Sequence, residues 1–368
     1  MVETKYKTWI EKTWQKIEKK LSKVAVRSRF KIPYSAKDGV HTDRKGEIDW
    51  WTNGFWGGLC WLMYEATKNE DFRISAEQNE TFLEKALDRV HTLHHDVGFM
   101  WHLTSGANYR LTGNEKSRNT ALICAMSLAA RFNADGDYIR AWNGNNEGWS
   151  IIDTMMNLPL LYFASEQLKA PRFTRIAVHH ANMAMKDHVR DDGSVNHIVV
   201  HDVDRPAVIE TLGGQGYGVG SSWSRGVSWA LYGFALSYLH TNREEYLQTA
   251  KKVAAHFIES VKRSAWLPLA DFKAPETPVY YDSTAGAIGA CGLIELYKAT
   301  KDEEYLDAAV SLLQAMANAW CDFDENTDAL LTMGSECHGR ATHIPIIYGD
   351  FFFVEAILKL KGSSFLIW

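Results

Sequence analysis

The sequence predicts an all-α protein, a single (α/α)6 barrel of six helical hairpins that spans residues 1–368 as one domain. Similar segments begin at Phe55, Ala230 and Ala287, and each reads as an apolar helix, a short polar turn (TKNEDF, TNREEY, TKDEEY) and a helix with an acidic first turn. LLYFASEQLKAPRFTRIAVHH and YRLTGNEKSRNTALICAMSLAARF are two further copies. The first helix of each hairpin is apolar nearly all round and the second is amphipathic, which predicts an inner and an outer ring.

Twelve helices are predicted along the chain, at 3–22, 54–68, 71–92, 100–112, 115–132, 151–168, 171–189, 225–241, 243–262, 283–299, 302–320 and 349–361. The last helix is of the apolar kind and the first is amphipathic, so the two can pair and close the ring. Because alternate helices run antiparallel, the six inner helices point the same way. Their N-termini therefore gather on one face, where we expect the functional site.

Composition and charge exclude several classes of protein. Hydrophobic residues make up 46% of the chain and charged residues 23%, as in ordinary globular proteins. A net charge of -5 argues against a nucleic acid or an anionic membrane as the main partner. The first twenty residues lack the pattern of a signal peptide. The five cysteines are scattered and lie mostly in apolar stretches of the sequence. We therefore expect a cytoplasmic protein with reduced thiols.

The segments that lead into the inner helices combine aromatic residues with carboxylates or other polar groups. They are DWWTNGFW (49–56), HHDVGFMW (94–101), NEGWSIIDTMMN (146–157), GQGYGVGSSWSRGVSW (214–229), YYDSTAG (280–286) and IIYGDFFF (346–353). Helix capping alone could explain the four aspartates Asp96, Asp153, Asp282 and Asp350. Six aromatic-rich segments on one face nevertheless favour a binding site.

The residue types in these segments suit an acidic carbohydrate. Flat indole faces for sugar rings are offered by Trp51, Trp142, Trp223 and Trp229. A carboxylate or hydroxyls can be bound by His197, Gln215 and Arg225. Asp153 lies in the apolar run IIDTMMNLPLL, so burial should raise its pKa, and a second carboxylate nearby would raise it further.

The HHDVGF segment could serve a metal, catalysis or a plain turn. We expect no metal at His94, His95 and Asp96, because neighbouring side chains diverge and no spaced HxxxH partner is present. Asp96 together with His95 is the better prediction for catalysis or substrate binding, and no cofactor is expected.

The motifs HHDVGF, IIDTMMNLPLL, QGYGVGSSWSRGVSW, YYDSTAGAIGACGLIE and YGDFFFVEAIL, in this order, resemble the unsaturated glucuronyl hydrolases of glycoside hydrolase family 88. The resemblance runs from about Trp51 to the C-terminus. The related unsaturated rhamnogalacturonyl hydrolases of family 105 share the barrel but fit these segments less well. The substrate that the resemblance implies is an oligosaccharide left by a polysaccharide lyase, with a 4,5-unsaturated uronic acid at its non-reducing end.

The resemblance also implies residue roles. Asp153 matches the general acid and base that hydrates the double bond, and Asp96 matches a second essential carboxylate. The implied uronate contacts are Trp51, His95, Trp142, His197, Gln215, Trp223, Arg225 and Trp229. In the segment GSECHGRATH, tolerance of sulfated glycosaminoglycan fragments would fall on Ser335, His338 and Arg340.

The chain departs from the family's pattern at EGWS before Asp153, where the family has an arginine, and at GGQGY around Gln215, where it has a histidine; both departures bear on the preferred sugar and not on the reaction class. Other readings of the sequence stay open: a conventional inverting glycosidase, a sugar epimerase or a non-catalytic sugar-binding barrel. A monomer and a homodimer are both compatible with it.

Overall fold

The structure, a computed structural model, describes residues 4–368, so the predicted helix start at residue 3 lies outside it. This part of the chain contains twelve α-helices: α1 (Thr4–Arg27), α2 (Phe55–Thr67), α3 (Glu70–Leu83), α4 (Ala107–Thr112), α5 (Glu115–Ala129), α6 (Leu158–Leu168), α7 (Arg172–Met183), α8 (Ser224–Thr241), α9 (Glu244–Arg263), α10 (Ser283–Thr300), α11 (Glu303–Ala319) and α12 (Ile347–Lys361). None of these helices is long and apolar enough to cross a membrane.

The predicted (α/α)6 barrel is confirmed by the packing of the helices. The inner ring runs α2, α4 with the π-helix before it, α6, α8, α10 and α12, and α12 packs against α2 to close it. Each inner helix also packs against an outer one, and α1 covers α12 as the complementary ends of the sequence predict. Inner helices such as α8 and α10 are buried over most of their length, which explains why they are apolar all round.

The inner helices end abruptly, and all but α12 are joined by a tight turn to the outer helix that follows. Every inner helix in the described chain ends on a residue in the left-handed conformation, which stops the helix within one residue. These residues are Lys68, Gly113, Lys169, Asn242, Lys301 and Gly362. Three outer helices then begin with a side chain that accepts a hydrogen bond from a free backbone N–H, at Asn69, Asn114 and Asp302.

Close packing of the inner ring depends on glycines at two crossings. A Cβ at Gly292 of α10 would lie 2.8 Å from Cγ of Leu231 on α8. A Cβ at Gly54, just before α2, would lie 2.3 Å from the carbonyl oxygen of Phe99. Both approaches are too short for any other residue without movement of the backbone or the neighbouring side chain.

Several predicted helices are not α-helical throughout. The 71–92 helix becomes a 3-10 helix over Glu84–Thr92, and the 171–189 helix ends in a π-helix over Ala184–His188. The 100–112 helix begins earlier than predicted, as a π-helix over Gly98–Gly106. The 151–168 helix is replaced at its start by a strand and a 3-10 helix over Ile152–Met156, because Pro159 favours the first turn of a helix and starts α6 at Leu158.

Seven short strands lie in the segments between the hairpins: β1 (Ala36–Lys37), β2 (Val40–His41), β3 (Phe132–Asn133), β4 (Tyr138–Ile139), β5 (Trp149–Ile151), β6 (Ile198–His201) and β7 (Val208–Leu212). The last three form an antiparallel sheet in the order β5-β6-β7, with Ser150 opposite Val199 and Val199 opposite Thr211. The backbone N–H of Ile152 bonds to the carbonyl of His197 and extends this pairing by one step. The sheet thereby fixes the chain on either side of the predicted site.

Candidate active site

A cavity of about 260 Å³ opens on the face where the inner helices begin. Of the six segments that lead into the inner helices, the entry segments, five contribute to its wall, and the sixth (280–286) reaches it indirectly through Asp282, which contacts Arg225. The lining residues are Tyr34, Trp50, Trp51, His94, His95, Asp96, Trp142, Asp153, Gln215, Arg225, Glu336, Cys337, Arg340 and Tyr348. Indole faces and carboxylates therefore share one enclosure of the size of a sugar ring or two.

Asp153 lies in the 3-10 turn that follows β5, and its side chain is 13% exposed. Burial raises the pKa of this carboxyl to about 7, while the charge of Arg225 and the indole of Trp229 oppose the rise. Its Oδ1 atom is buried and has no hydrogen-bond partner. A carboxyl with this pKa is partly protonated at neutral pH and can both donate and accept a proton.

Asp96 is the second carboxylate in the cavity. Its Oδ1 accepts a hydrogen bond of 3.3 Å from the side-chain amide of Asn157. Burial first, and then the charge of Asp153, raise its pKa well above the ordinary value. The repulsion between the two carboxylates therefore raises the pKa of Asp96, whereas the sequence predicted that it would raise the pKa of Asp153.

The histidines beside Asp96 correct one expectation. His94 Nδ1 and His95 Nε2 each lie 3.3 Å from Asp96 Oδ2, so the three neighbouring side chains converge and do not diverge. They can do so because the segment turns sharply here, between the end of the 3-10 helix and the start of the π-helix. Burial lowers the pKa of His94 to about 4 and that of His95 well below its ordinary value, so both rings are neutral at pH 7.

His197 approaches Asp153 from the β6 side. Its Nδ1 accepts a hydrogen bond of 3.0 Å from the backbone N–H of Gln215, and burial lowers its pKa to about 3. A neutral ring with Nδ1 as acceptor carries its proton on Nε2, and that atom lies 3.6 Å from Asp153 Oδ1. The side chain of Trp223 packs on the same ring with centroids 4.2 Å apart, which holds it in place.

Arg225 occupies the first turn of α8 and is buried. One terminal nitrogen lies 2.5 Å from Asp282 Oδ2 and also donates to the carbonyl of Ser335, and the other donates to the carbonyl of Glu336 at 2.6 Å. Its Nε is buried without a hydrogen-bond partner. Most of the guanidinium therefore binds protein atoms and anchors the 335–336 segment to the barrel.

The structure brings eight of the predicted site residues to the cavity wall: Trp51, His95, Asp96, Trp142, Asp153, Gln215, Arg225 and Arg340. His197 and Trp223 stand directly behind them, and Trp229 is fully buried between Phe99 and Phe352. Each of these three supports the wall and does not form part of it.

The three residues predicted to bind sulfate do not lie together in the structure. Arg340 lines the cavity and is exposed at its rim. Ser335 is buried, and its hydroxyl donates to the carbonyl of Tyr281. His338 packs between the rings of Tyr217 and Tyr280 and lines a neighbouring cavity.

Sequence reasoning missed several residues of the wall: Tyr34, Trp50, Glu336, Cys337 and Tyr348. Trp50 and Tyr348 stand in entry segments that had been identified, and Glu336 and Cys337 lie in GSECHGRATH. Tyr34 comes from the segment between α1 and α2. The sequence of that segment has no helical periodicity and no motif. The hydroxyl of Tyr34 donates to the Glu336 carboxylate, which only the folded chain reveals.

Comparison with known proteins places this chain among the glycosyl hydrolases. Residues 9–264 match the family model of Glycosyl Hydrolase Family 88. An unsaturated glucuronyl hydrolase of Bacillus sp. (strain GL1) is 35% identical over 336 residues, which cover 86% of this chain and 88% of that protein. An unsaturated chondroitin disaccharide hydrolase of Streptococcus pyogenes serotype M1 is 30% identical over 84% of this chain and 80% of its own length.

Solved structures agree in fold. The crystal structure of the unsaturated glucuronyl hydrolase from Bacillus sp. GL1, described as responsible for the degradation of glycosaminoglycan, superposes with a TM-score of 0.89. The two sequences are 32% identical, and the superposition covers 95% of this chain and 97% of that chain.

Proposed function

Because the chain belongs to glycosyl hydrolase family 88, we propose that it hydrolyses lyase-generated oligosaccharides at a non-reducing-end 4,5-unsaturated glucuronic acid. The observation that carries the proposal is Asp153: a buried carboxyl with a pKa of about 7, in a cavity walled by tryptophans. A single group that is half protonated near neutral pH can act as acid and then as base in one turnover.

The reaction is a hydration of the C4=C5 double bond. Protonated Asp153 donates its proton to C4, and the resulting carboxylate takes a proton from the water molecule that attacks C5. The hemiketal formed at C5 then opens and the adjoining sugar leaves, so one water is consumed and Asp153 ends protonated again. The carboxylate separation that distinguishes retaining from inverting glycosidases has no bearing here, because no group is displaced at the anomeric carbon in the first step.

Asp96 and His197 prepare Asp153 for this role. Burial, and then the charge of Asp153, raise the pKa of Asp96 and so favour its protonated form, which can donate a hydrogen bond to a ring hydroxyl. The Nε2–H of His197 faces Asp153 Oδ1 and can hold the carboxylate after it has lost its proton. The tryptophans Trp51 and Trp142 offer stacking faces on the cavity wall.

Binding of the uronate carboxylate falls to Arg225 and Gln215. Most N–H groups of Arg225 already bond to protein atoms, so its contribution is the unpaired Nε–H, the second N–H of the nitrogen that donates to Glu336, and a positive field at the start of α8. The side-chain amide of Gln215 donates one N–H to the carbonyl of Glu336 at 2.6 Å, which leaves its second N–H for the uronate carboxylate and its oxygen for a hydroxyl of the substrate.

The adjoining sugar is proposed to be that of a glycosaminoglycan fragment, sulfated forms included. Arg340 supports this, because an exposed planar guanidinium at the rim of the cavity suits sulfate oxygens. Ser335 and His338 would act through the segment that carries Arg340, since neither lines the cavity.

We further propose that the chain acts as one catalytic domain, as a monomer or homodimer, in the cytoplasm. The five cysteines are all free, and three of them are buried, as is usual in a reducing compartment.

Incubation with lyase-generated disaccharides, followed by the ultraviolet absorbance of the conjugated double bond, tests the proposal. The absorbance should fall as the adjoining sugar is released. A conventional glycosidase on this barrel would also cleave the saturated counterpart of the disaccharide, which the proposed reaction leaves intact. A sugar-binding barrel would change neither substrate.

A further inference from the structure

Three metal-ligating atoms meet in the cavity wall at His94, His95 and Asp96. One ligand atom from each lies within 4.8 Å of the other two. The oxygen of Asp96 is 3.3 Å from a ring nitrogen of each histidine. Bonds of about 2.0–2.1 Å to a tetrahedral zinc ion put neighbouring ligand atoms about 3.3–3.4 Å apart. Two edges of such a tetrahedron are therefore already present.

The atoms behind these ligands are arranged as in metal sites. His95 Nδ1 forms a 2.7 Å hydrogen bond with the hydroxyl of Thr154, which orients the ring so that Nε2 faces Asp96. The second oxygen of Asp96 accepts from Asn157, which orients the carboxylate. Ligating histidines and carboxylates are usually held by outer hydrogen bonds of this kind.

His94 supplies the remaining observation. Its Nδ1 is buried and has no hydrogen-bond partner, although it lies 3.3 Å from Asp96. A buried ring nitrogen without a partner is costly unless a ligand occupies it. All three residues line the cavity, so a fourth coordination position would open toward the substrate's space.

We propose that His94, His95 and Asp96 bind one Zn²⁺ ion, and that the ion inhibits turnover by occupying Asp96. Two nitrogens and one oxygen form a ligand set that suits zinc. Arg131 donates to the carbonyls of Leu93 and Ala141 close by, and its positive charge opposes the binding of a cation there. Ion binding is independent of the reaction that the enzyme performs, whereas the inhibitory effect rests on the proposed function.

Titration of the purified protein with Zn²⁺ in a calorimeter, and with Co²⁺ followed by visible absorption, tests the binding. One ion should bind per chain, with the absorption of four-coordinate cobalt. His94→Gln should weaken binding by at least about tenfold, and Thr154→Val, which leaves all three ligands in place, by about 10- to 100-fold. His91→Gln is the matched control, since His91 is exposed outside the cavity, and it should bind as the wild type does.

Circular dichroism of each variant establishes that it is folded, and Thr154→Val decides the question if His94→Gln is not. Absence of a bound ion in the wild type, or equal affinity in the wild type and the folded variants, overturns the site. Zn²⁺ should also reduce the rate with unsaturated disaccharide, and a chelator should restore it. Binding without loss of rate overturns the inhibitory role alone. A protein that turns over no unsaturated disaccharide contradicts the proposed function but leaves the titrations decisive.

Discussion

At the scale of single residues, substitutions of two buried aspartates, Asp153 and Asp350, distinguish an effect on catalysis from an effect on stability. Asp153→Asn keeps the shape of the side chain but cannot exchange the proton, so kcat should fall by about 10⁴-fold or more while KM changes little. Asp350 is the matched control, because burial raises its pKa to about 7 as well, yet it accepts from the backbone N–H groups of Leu330 and Leu331 outside the cavity. Asp350→Asn should lower Tm and keep kcat. A rate for Asp153→Asn above about a tenth of the wild type removes this residue from the mechanism.

The pKa of Asp153 also sets a pH dependence. The first step needs the protonated carboxyl, so kcat should decline as the pH rises through about 7. Because folding raises this pKa, Asp153 contributes fully to stability only at pH values below its pKa in the unfolded chain. This contribution is lost as the pH rises through 7. Asp153→Asn should therefore raise Tm at pH 8 and leave it nearly unchanged at pH 4. Equal changes in Tm at both values contradict the assigned pKa.

Arg340 carries the prediction on sulfation. Arg340→Ala should lower kcat/KM about tenfold or more on a sulfated unsaturated disaccharide, because a charge-assisted hydrogen bond is lost, and leave the unsulfated one unaffected. Lys301, an exposed cation at the end of α10, provides a control substitution to Ala. Similar losses on both disaccharides would leave Arg340 as an ordinary surface charge.

At the scale of elements, the sheet β5-β6-β7 positions the turn that carries Asp153 through one serine. His188 Nδ1 donates to the carbonyl of Asn196, so its Nε2 accepts from the hydroxyl of Ser150, and His201 Nε2 must then donate to that oxygen. Both nitrogens lie 2.8 Å from Ser150 Oγ. This cluster ties the strand before Asp153 to the strand after His197.

Ser150→Ala removes the shared partner of His188 Nε2 and His201 Nε2 and leaves both of these buried ring nitrogens unpaired. It should lower the free energy of unfolding by about 1–3 kcal/mol or more, and lower kcat as Asp153 loses its fixed position. Urea unfolding and the disaccharide assay measure the two effects. Ser264→Ala in a partly exposed turn serves as control, with a change within about 0.5 kcal/mol. A Ser150→Ala protein that matches this control shows that the cluster does not support the turn.

The elements also show where sequence reasoning reached its limit. Helical period, acidic first turns and polar turns predicted all twelve helices within a few residues at most ends, because these signals are local. The π-helix at Gly98–Gly106 and the strand β5 were missed, since each depends on contacts with distant segments such as β6. The aspartates were found because one stands in an apolar run and the other beside histidines. Sequence reasoning did not identify Tyr34, because Tyr34 reaches the cavity only once the ring of inner helices has closed.

At the scale of the whole molecule, ring closure creates the site. The inner helices of the barrel pack side by side until α12 meets α2, and this brings Tyr348 against Trp51 with ring centroids 5.2 Å apart. Beneath them the ring of Trp368 stacks on Phe352 and fills the centre of the barrel. A close-packed aromatic floor of this kind helps to keep Asp153 buried, and burial raises its pKa to about 7.

The central claim is that Asp153 adds solvent-derived hydrogen to C4 of the unsaturated uronate. Turnover of a lyase-generated disaccharide in deuterated water, followed by NMR from the first minutes, tests it most directly. The account predicts that the first product lacks the double bond and carries one deuterium at C4, delivered to one face. A first product that retains the C4=C5 bond and its original C4 hydrogen after the sugar has left would contradict the account.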